Sequence, residues 1–99
     1  MTEQEENVVK LLREMADLYG RTSIAQAHRL YAYHKAADAL VRYGEIPTSR
    51  DDLLAIKDIG PKTADAVLTL LERGTHPDLE RMRAKVSGGA DSGPEPVKQ

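Results

Sequence analysis

Apolar residues recur at steps of three and four positions along most of the chain, which is the spacing of amphipathic α-helices. In the first such stretch they are Val8, Leu11, Leu12, Met15, Leu18 and Tyr19. Thr2 and Glu5 precede it at the spacing of a capping box, and Gly20 is a residue type common at helix C-termini. The pattern predicts a first helix that begins just after Thr2 and ends at Gly20.

A second apolar pattern is longer than the first. Its members are Ile24, Ala27, Leu30, Tyr33, Ala36, Ala37, Leu40 and Val41. Ser23 is a suitable N-cap residue, and Gly44 is a suitable stop. A pattern of this length is compatible with one helix or with a short helix followed by a longer one.

Two shorter helical segments follow. Ser49, with Asp52 three residues later, predicts the start of a short helix over residues 50–55. Beyond a tight turn, one apolar stripe predicts another helix, which Gly74 ends; the stripe consists of Ala64, Val67, Leu68 and Leu71.

Pro77 predicts the start of a last helix over Asp78–Val86, with Leu79, Met82 and Val86 facing inward. From Ser87 the composition changes to Gly, Ser, Pro and charged residues, which predicts a disordered tail over residues 87–99. No segment alternates with the period of two that strands show. The sequence therefore predicts an all-α domain of four to five helices over residues 1–86.

The composition restricts the class of protein. The chain has 99 residues with no Cys, Phe or Trp, so disulfides and thiolate metal sites are excluded. No apolar run approaches the ~18–20 residues that span a bilayer, and no signal peptide opens the chain. We expect an intracellular monomer, cytoplasmic or nuclear, without a membrane partner.

The charge is unevenly distributed. The net charge is −2, which argues against a strongly basic nucleic-acid binder. Residues 21–43 nevertheless carry Arg21, Arg29, Lys35 and Arg42 against Asp38 alone, and they include His28 and His34. This local excess of positive charge is compatible with a solvated helix surface or with an anion-binding surface.

The turn between the third and fourth helices is the main clue to function. Gly60 is expected to supply the positive φ that such a turn needs, and Pro61 suits the first position of the next helix. The free N–H groups and positive dipole end of that helix then lie at the tip of a hairpin, where a phosphate can bind. Residues 53–68 thus resemble the helix-hairpin-helix motif, which binds nucleic-acid backbones.

A second block extends the resemblance over roughly residues 8–84. The run His28-Arg29-Leu30-Tyr31-Ala32-Tyr33-His34-Lys35-Ala36-Ala37 precedes the hairpin, which is followed by Leu70-Leu71-Glu72-Arg73-Gly74. Together these blocks resemble the N-terminal domain of family X DNA polymerases, which binds gapped DNA in DNA polymerase beta. The resemblance implies an all-α fold with one helix-hairpin-helix motif.

The resemblance also implies a set of DNA-binding residues. It assigns backbone amides of Gly60 and Lys62 to DNA, Arg29 and Lys62 to a 5′-phosphate, and Tyr33 to a hydrogen bond in the pocket. It assigns to His28 a stacking contact with a base, and we add Lys35 as part of the basic surface. It also assigns a monovalent cation, Na⁺ or K⁺, to the backbone carbonyls of Leu54, Ile56 and Ile59.

Two positions depart from the family pattern. Asp58 stands where the turn usually has Gly; aspartate tolerates left-handed geometry, but its carboxylate repels a phosphate, with Lys57 and Lys62 as flanking cations. Ala66 stands where the family has the lysine that forms a Schiff base with 5′-deoxyribose phosphate. The only substitute on the same helix is Lys62, one turn earlier, in a more exposed position.

The leading hypothesis is a DNA-binding module for gapped, nicked or 5′-phosphorylated DNA, with no catalytic residue assigned. The alternatives are a protein-interaction module of the same fold and a weak 5′-deoxyribose phosphate lyase that uses Lys62. No nucleotide-binding glycine loop and no His/Cys metal spacing is present in the sequence.

Overall fold

The computed structural model describes residues 1–22 and 27–87, which form five helices and no strand. The helices are α1 (Glu3–Thr22), α2 (His28–Tyr43), α3 (Arg50–Leu54), α4 (Pro61–Arg73) and α5 (Pro77–Ser87). The all-α prediction is confirmed. The predicted N-cap Ser23, the apolar residue Ile24 and the tail beyond Ser87 lie outside the described residues.

Helix α1 is the centre of the fold, because α2, α4 and α5 all pack against it. Helix α2 runs antiparallel to α1: Arg13 pairs with Asp38 at 2.9 Å, and Asp17 lies 3.0 Å from His34 Nε2. Helix α5 is also antiparallel to α1, since Arg83 pairs with Glu14 at 2.6 Å and Asp78 accepts a hydrogen bond from Tyr19. The order of these pairs places the start of α2 and the start of α5 at the same end of α1.

The core consists of aliphatic residues, alanines and two tyrosines, as the composition requires. Its most deeply buried large side chains, all under 2% exposed, are Tyr19, Leu12, Met15, Leu40, Leu53, Leu70, Leu79, Val8 and Val67. Alanines of α2 and α4 are buried as well, which lets these helices approach α1 closely; they are Ala36, Ala37, Ala39, Ala64 and Ala66.

The predicted capping box of α1 is confirmed and has a second role. The Thr2 N–H donates to Glu5 Oε1 at 2.8 Å, and the Glu5 N–H donates to Thr2 Oγ1 at 3.2 Å. The other carboxylate oxygen of Glu5 accepts the Ile46 N–H at 2.7 Å. One side chain therefore closes the start of α1 and fixes the loop between α2 and α3.

Of the three glycines expected to end helices, two do so. Gly44 and Gly74 end α2 and α4, as predicted, and both adopt left-handed geometry. The prediction that Gly20 ends α1 is wrong, because the helix continues to Thr22. A Cβ at Gly20 would lie 2.5 Å from Leu30 Cδ1, so glycine at this position allows α2 to approach α1.

The prediction that Val86 faces inward is also wrong, and Val41, a member of the second apolar pattern, is not buried. Val41 is 52% exposed and Val86 is 48% exposed. Among the described helices α5 packs on α1 alone, so no second helix covers the end that carries Val86. Val41 lies on the outer side of α2, while Ala39 and Leu40 are buried.

The remaining segment predictions agree closely with the structure. The short helix expected over residues 50–55 is α3, and Ser49 holds the N-cap position without a side-chain capping bond. The last helix, expected over residues 78–86, begins one residue earlier and ends one residue later. No helix in the described part of the chain combines the length and apolarity needed to cross a bilayer.

Candidate nucleic-acid interface

A cleft of about 200 Å³ lies where the start of α2 meets the hairpin between α3 and α4. Five of the six predicted DNA-contacting residues line it: His28, Arg29, Tyr33, Gly60 and Lys62. Ala32, Asp58, Pro61 and Thr63 complete the lining. The sixth predicted residue, Lys35, is exposed on α2 and does not line the cleft.

The hairpin turn places its left-handed residue at Asp58. Asp58 has φ +75° and is the one non-glycine residue with positive φ in the described ranges. Gly60 has φ −97° and ψ −180°, so the expectation that Gly60 supplies the positive φ is wrong. The chain reverses between the Ile56 carbonyl and the Ile59 N–H, 3.2 Å apart, and the left-handed step needed for this reversal falls within that interval.

The first turn of α4 leaves two N–H groups free. The Gly60 N–H donates to Thr63 Oγ1 at 2.9 Å, and the Ala64 N–H donates to the Gly60 carbonyl at 2.9 Å. Pro61 has no N–H. The donors without an acceptor among the described residues are therefore those of Lys62 and Thr63, at the positive end of the helix dipole.

Thr63 is a residue that the sequence analysis missed. Its side chain is 5% exposed, and its hydroxyl both accepts from the Gly60 N–H and donates to the Gly60 carbonyl at 3.0 Å. The sequence could have identified Thr63 by its position three residues after the N-cap Gly60, because a side chain at that position can bond back to the backbone of the cap. Thr63 fixes the backbone from which the free amides project.

The Asp58 carboxylate has a partner on another helix. Arg42 Nη2, near the end of α2, lies 3.4 Å from Asp58 Oδ2. The sequence pointed to the adjacent Lys57 and Lys62 as compensating cations, but the ion pair joins positions 16 residues apart. The pair reduces the negative charge that the hairpin presents to the cleft.

Two buried tyrosines pack together at the cleft: Tyr33 lines it, and Tyr19 contacts both Tyr33 and Arg29. The rings of Tyr19 and Tyr33 meet edge to face at 5.2 Å, and the Arg29 guanidinium lies 5.2 Å from the centroid of the Tyr19 ring. The Tyr19 hydroxyl donates to Asp78 Oδ2 at 2.8 Å. Neither Tyr19 nor Asp78 was identified as a site residue, because they lie 59 positions apart and no local pattern links them.

The surroundings of this cluster raise the pKa values of both tyrosines and so keep them neutral. Burial raises the pKa of Tyr33, and burial together with the bond to Asp78 raises the pKa of Tyr19 strongly. For Asp78, burial acts to raise the pKa, but hydrogen bonds from Tyr19 and Arg81 outweigh it and the pKa is lowered. Both tyrosines are therefore neutral at pH 7, and Tyr19 donates its hydroxyl to an ionised Asp78.

The backbone carbonyls assigned to a monovalent cation are available in part. The carbonyls of Leu54 and Ile59 accept no hydrogen bond from the described residues, and that of Ile56 accepts only the Ile59 N–H. Uncommitted carbonyl oxygens are suitable ligands for Na⁺ or K⁺, so the residues present fit such an ion. No group of three His, Asp or Glu side chains in the described ranges can hold a metal ion.

The position where family X DNA polymerases have a Schiff-base lysine is occupied here by a core residue. Ala66 is 1% exposed on α4, whereas Lys62, on the same helix, is exposed at the rim of the cleft. The cleft therefore has cationic and hydrogen-bonding groups but no enclosed amine in the described part of the chain.

Comparison with known proteins gives one family. A family model described as a helix-hairpin-helix domain matches residues 3–76, about three quarters of the chain. No curated protein and no solved structure shows significant similarity to the chain. The matched range contains the whole cleft and ends just before α5.

Proposed function

This chain belongs to the helix-hairpin-helix domain family, and on that premise we propose that it binds gapped, nicked or 5′-phosphorylated DNA without sequence specificity. Helix-hairpin-helix domains generally bind nucleic acid. The finer preference for a DNA gap or 5′-phosphate rests on the cleft and on the resemblance to the N-terminal domain of family X DNA polymerases.

The observation that carries the proposal is the convergence of three kinds of group on one cleft. The free amides of Lys62 and Thr63 provide an anion site at the start of α4. The side chains of Arg29 and Lys62 add positive charge, and the exposed ring of His28 provides a surface on which a base can stack. The amides and cationic side chains suit a 5′-phosphate, and the His28 ring suits the base next to it.

The lack of sequence specificity follows from the kind of contact. Backbone amides and cationic side chains bind phosphate oxygens, which are the same for every nucleotide, whereas sequence is read at base edges. A Na⁺ or K⁺ ion on the carbonyls of Leu54, Ile56 and Ile59 would add positive charge beside the bound phosphate. Lys35 extends the basic surface of α2 beyond the cleft.

We test the proposal by fluorescence anisotropy with a one-nucleotide-gapped duplex that carries a 5′-phosphate. Lys62→Glu is compared with Lys10→Glu, which makes the same charge change on α1 outside the cleft. We expect Lys62→Glu to abolish most binding and to lower the slope of log K against log salt by about one. Lys10→Glu is expected to leave the affinity and the salt slope nearly unchanged.

Two results would contradict the proposal: equal effects of the two variants, or no binding by the wild-type chain at tens of micromolar. The second would favour the protein-interaction alternative. In that alternative, Val41 and Tyr43 would offer an apolar surface to a protein partner. They are 52% and 53% exposed near the end of α2, and neither lines the cleft.

A further inference from the structure

Helix α5 lies beyond the matched range of residues 3–76, yet Asp78 in its first turn binds Tyr19, whose ring lies against Arg29 of the cleft. We infer that Asp78 and Tyr19 are positioning residues that hold the Arg29 guanidinium at the place where it meets a phosphate oxygen. The identity of the ligand rests on the proposed function, whereas the positioning of Arg29 is a property of the chain itself.

The first contact in this chain of interactions joins Arg29 to Tyr19. Arginine has a long side chain with many rotamers, and no carboxylate among the described residues forms an ion pair with Arg29. Its guanidinium lies 5.2 Å from the centroid of the Tyr19 ring, within the range of a cation–π contact. Arg29 also hydrogen-bonds to the Tyr19 hydroxyl. The ring and its hydroxyl therefore restrict the guanidinium, and the remaining N–H donors of the five stay available to an anion.

The second contact fixes the Tyr19 ring. Tyr19 is 1% exposed, and its hydroxyl donates to Asp78 Oδ2 at 2.8 Å. Asp78 is itself held twice, by Arg81 Nη2 at 2.6 Å from its other oxygen and through its own N–H, which donates to His76 Nδ1 at 3.0 Å. The start of α5 is thus a fixed anchor for the ring on which Arg29 lies.

The charge of Asp78 allows this role to be separated from simple electrostatics. A carboxylate near an anion site weakens phosphate binding, so if Asp78 acted only through its charge, removing it would strengthen binding. If Asp78 acts by positioning, removing it weakens recognition of the phosphate despite the gain in net positive charge. The two roles predict effects of opposite sign.

The experiment compares the affinities for a gapped duplex with a 5′-phosphate and for the same duplex with a 5′-hydroxyl. The variants are Asp78→Ala, Asp78→Asn and Tyr19→Phe. Glu80→Ala is the matched control, because it removes the same charge from an exposed position in the same turn of α5. Circular dichroism melts establish that each variant is folded at the assay temperature.

We expect Asp78→Ala and Tyr19→Phe each to lower the preference for the 5′-phosphate by about three- to fivefold, the equivalent of one weakened cation–π contact. Asp78→Asn keeps an oxygen that accepts the Tyr19 hydroxyl, so it should retain most of the preference. The Tyr19→Phe/Asp78→Ala double variant should be no worse than either single variant, because both break the same bond. Glu80→Ala should not change the preference.

A rise in 5′-phosphate affinity for Asp78→Ala, or an equal loss for both duplexes, would overturn the positioning role. A second measurement does not depend on DNA: the heteronuclear NOE of the Arg29 Nε–Hε group in the free protein. An ordered Arg29 that becomes mobile in Asp78→Ala supports positioning even if the wild-type chain shows no preference for the phosphate. An Arg29 that is mobile in the wild type overturns the inference and leaves DNA binding by the hairpin intact.

Discussion

Asp58 combines backbone strain with unfavourable charge at the tip of the hairpin. Its φ of +75° is a conformation that most side chains avoid and that aspartate tolerates better than most. Its carboxylate lines the cleft and is balanced by Arg42 at 3.4 Å. A residue with both properties lets backbone and charge effects be measured separately by substitution.

We predict that Asp58→Asn binds gapped DNA about threefold more tightly, because it removes a unit charge from the lining of the cleft, and a charge pair several ångströms apart in high-dielectric surroundings is worth about 0.6 kcal/mol. Its free energy of unfolding should change by less than ~1 kcal/mol, since asparagine also tolerates left-handed geometry and an exposed ion pair contributes little. Asp58→Ala should bind equally well but lose about 1 kcal/mol of stability. Anisotropy and urea unfolding measure the two effects.

The control for this pair is Asp51→Asn, which removes an exposed carboxylate on α3 outside the cleft. It should leave the affinity almost unchanged. An affinity gain for Asp51→Asn as large as that for Asp58→Asn would show that net charge, rather than the position of Asp58, controls binding.

Ala66 gives a second prediction at the residue scale. A Schiff-base mechanism needs a neutral amine in an enclosed site, and Ala66 has none. We expect no covalent adduct after borohydride treatment of the wild-type chain with DNA that carries a 5′-deoxyribose phosphate. An adduct that disappears in Lys62→Ala would instead establish the weak lyase alternative.

At the scale of the element, the start of α4 is organised around Gly60. Its φ of −97° is accessible to any residue, and a Cβ built there would meet nothing within 4 Å. The folded chain itself therefore does not require glycine at this position. The open space that a Cβ would enter is at the edge of the cleft, where the backbone can approach a ligand closely.

We predict that Gly60→Ala keeps the melting temperature of the wild type but weakens binding of gapped DNA by about fivefold or more, because the methyl group obstructs the approach of the phosphate. Gly74→Ala is the matched control, since Gly74 has φ +73° and lies outside the cleft. It should lose about 1 kcal/mol of stability through left-handed strain and bind DNA normally once folded. A stable Gly60→Ala variant with full affinity would contradict the proposed path of the phosphate.

At the scale of the whole molecule, three of the carboxylates that connect segments distant in sequence have lowered pKa values. Glu5 joins the start of α1 to the loop at Ile46, Glu14 joins α1 to Arg83 of α5, and Asp78 joins α5 to Tyr19 of α1. Bonds from backbone amides lower the pKa of Glu5, and the Arg83 guanidinium lowers the pKa of Glu14. The pKa of Asp78 is lowered as well.

We predict that acid weakens the fold through these three groups. A carboxylate with a lowered folded-state pKa contributes stability in full above its unfolded pKa, ordinarily 4.5 for Glu5 and Glu14 and 3.8 for Asp78, and loses it as the pH falls through the folded value. The melting temperature should therefore be nearly constant from pH 7 to just above 4.5 and fall below it. Glu14→Gln should flatten this fall, whereas Glu72→Gln, on the exposed surface of α4, should not.

Thermal denaturation followed by circular dichroism over the same pH range measures this dependence. A melting temperature that falls equally steeply in wild type and Glu14→Gln would assign the acid sensitivity to other groups.

Most of the fold was predictable because its determinants are local. The capping box of Thr2 and Glu5, the stops at Gly44 and Gly74, and Pro61 at the start of α4 each act within a few residues of the chain. The predictions at Gly20 and Val86 were wrong because packing between helices, which is not local in sequence, determines both positions. Leu30 of another helix determines the environment of Gly20, and the absence of a second packing helix within the described residues determines the exposure of Val86.

The sequence by itself determined four to five helices and the position of the hairpin, because periodicity, capping and turn chemistry are encoded over short distances. The family resemblance pointed to five residues that line the cleft. Only the tertiary structure showed that Asp58 rather than Gly60 is left-handed, that Arg42 balances its charge, and that the Tyr19 ring, bound by Asp78, lies against Arg29. The last two contacts join residues that are far apart along the chain, and packing of the helices on α1 brings them together. Periodicity specifies which face of a helix is buried, but it does not specify which distant side chain that face meets.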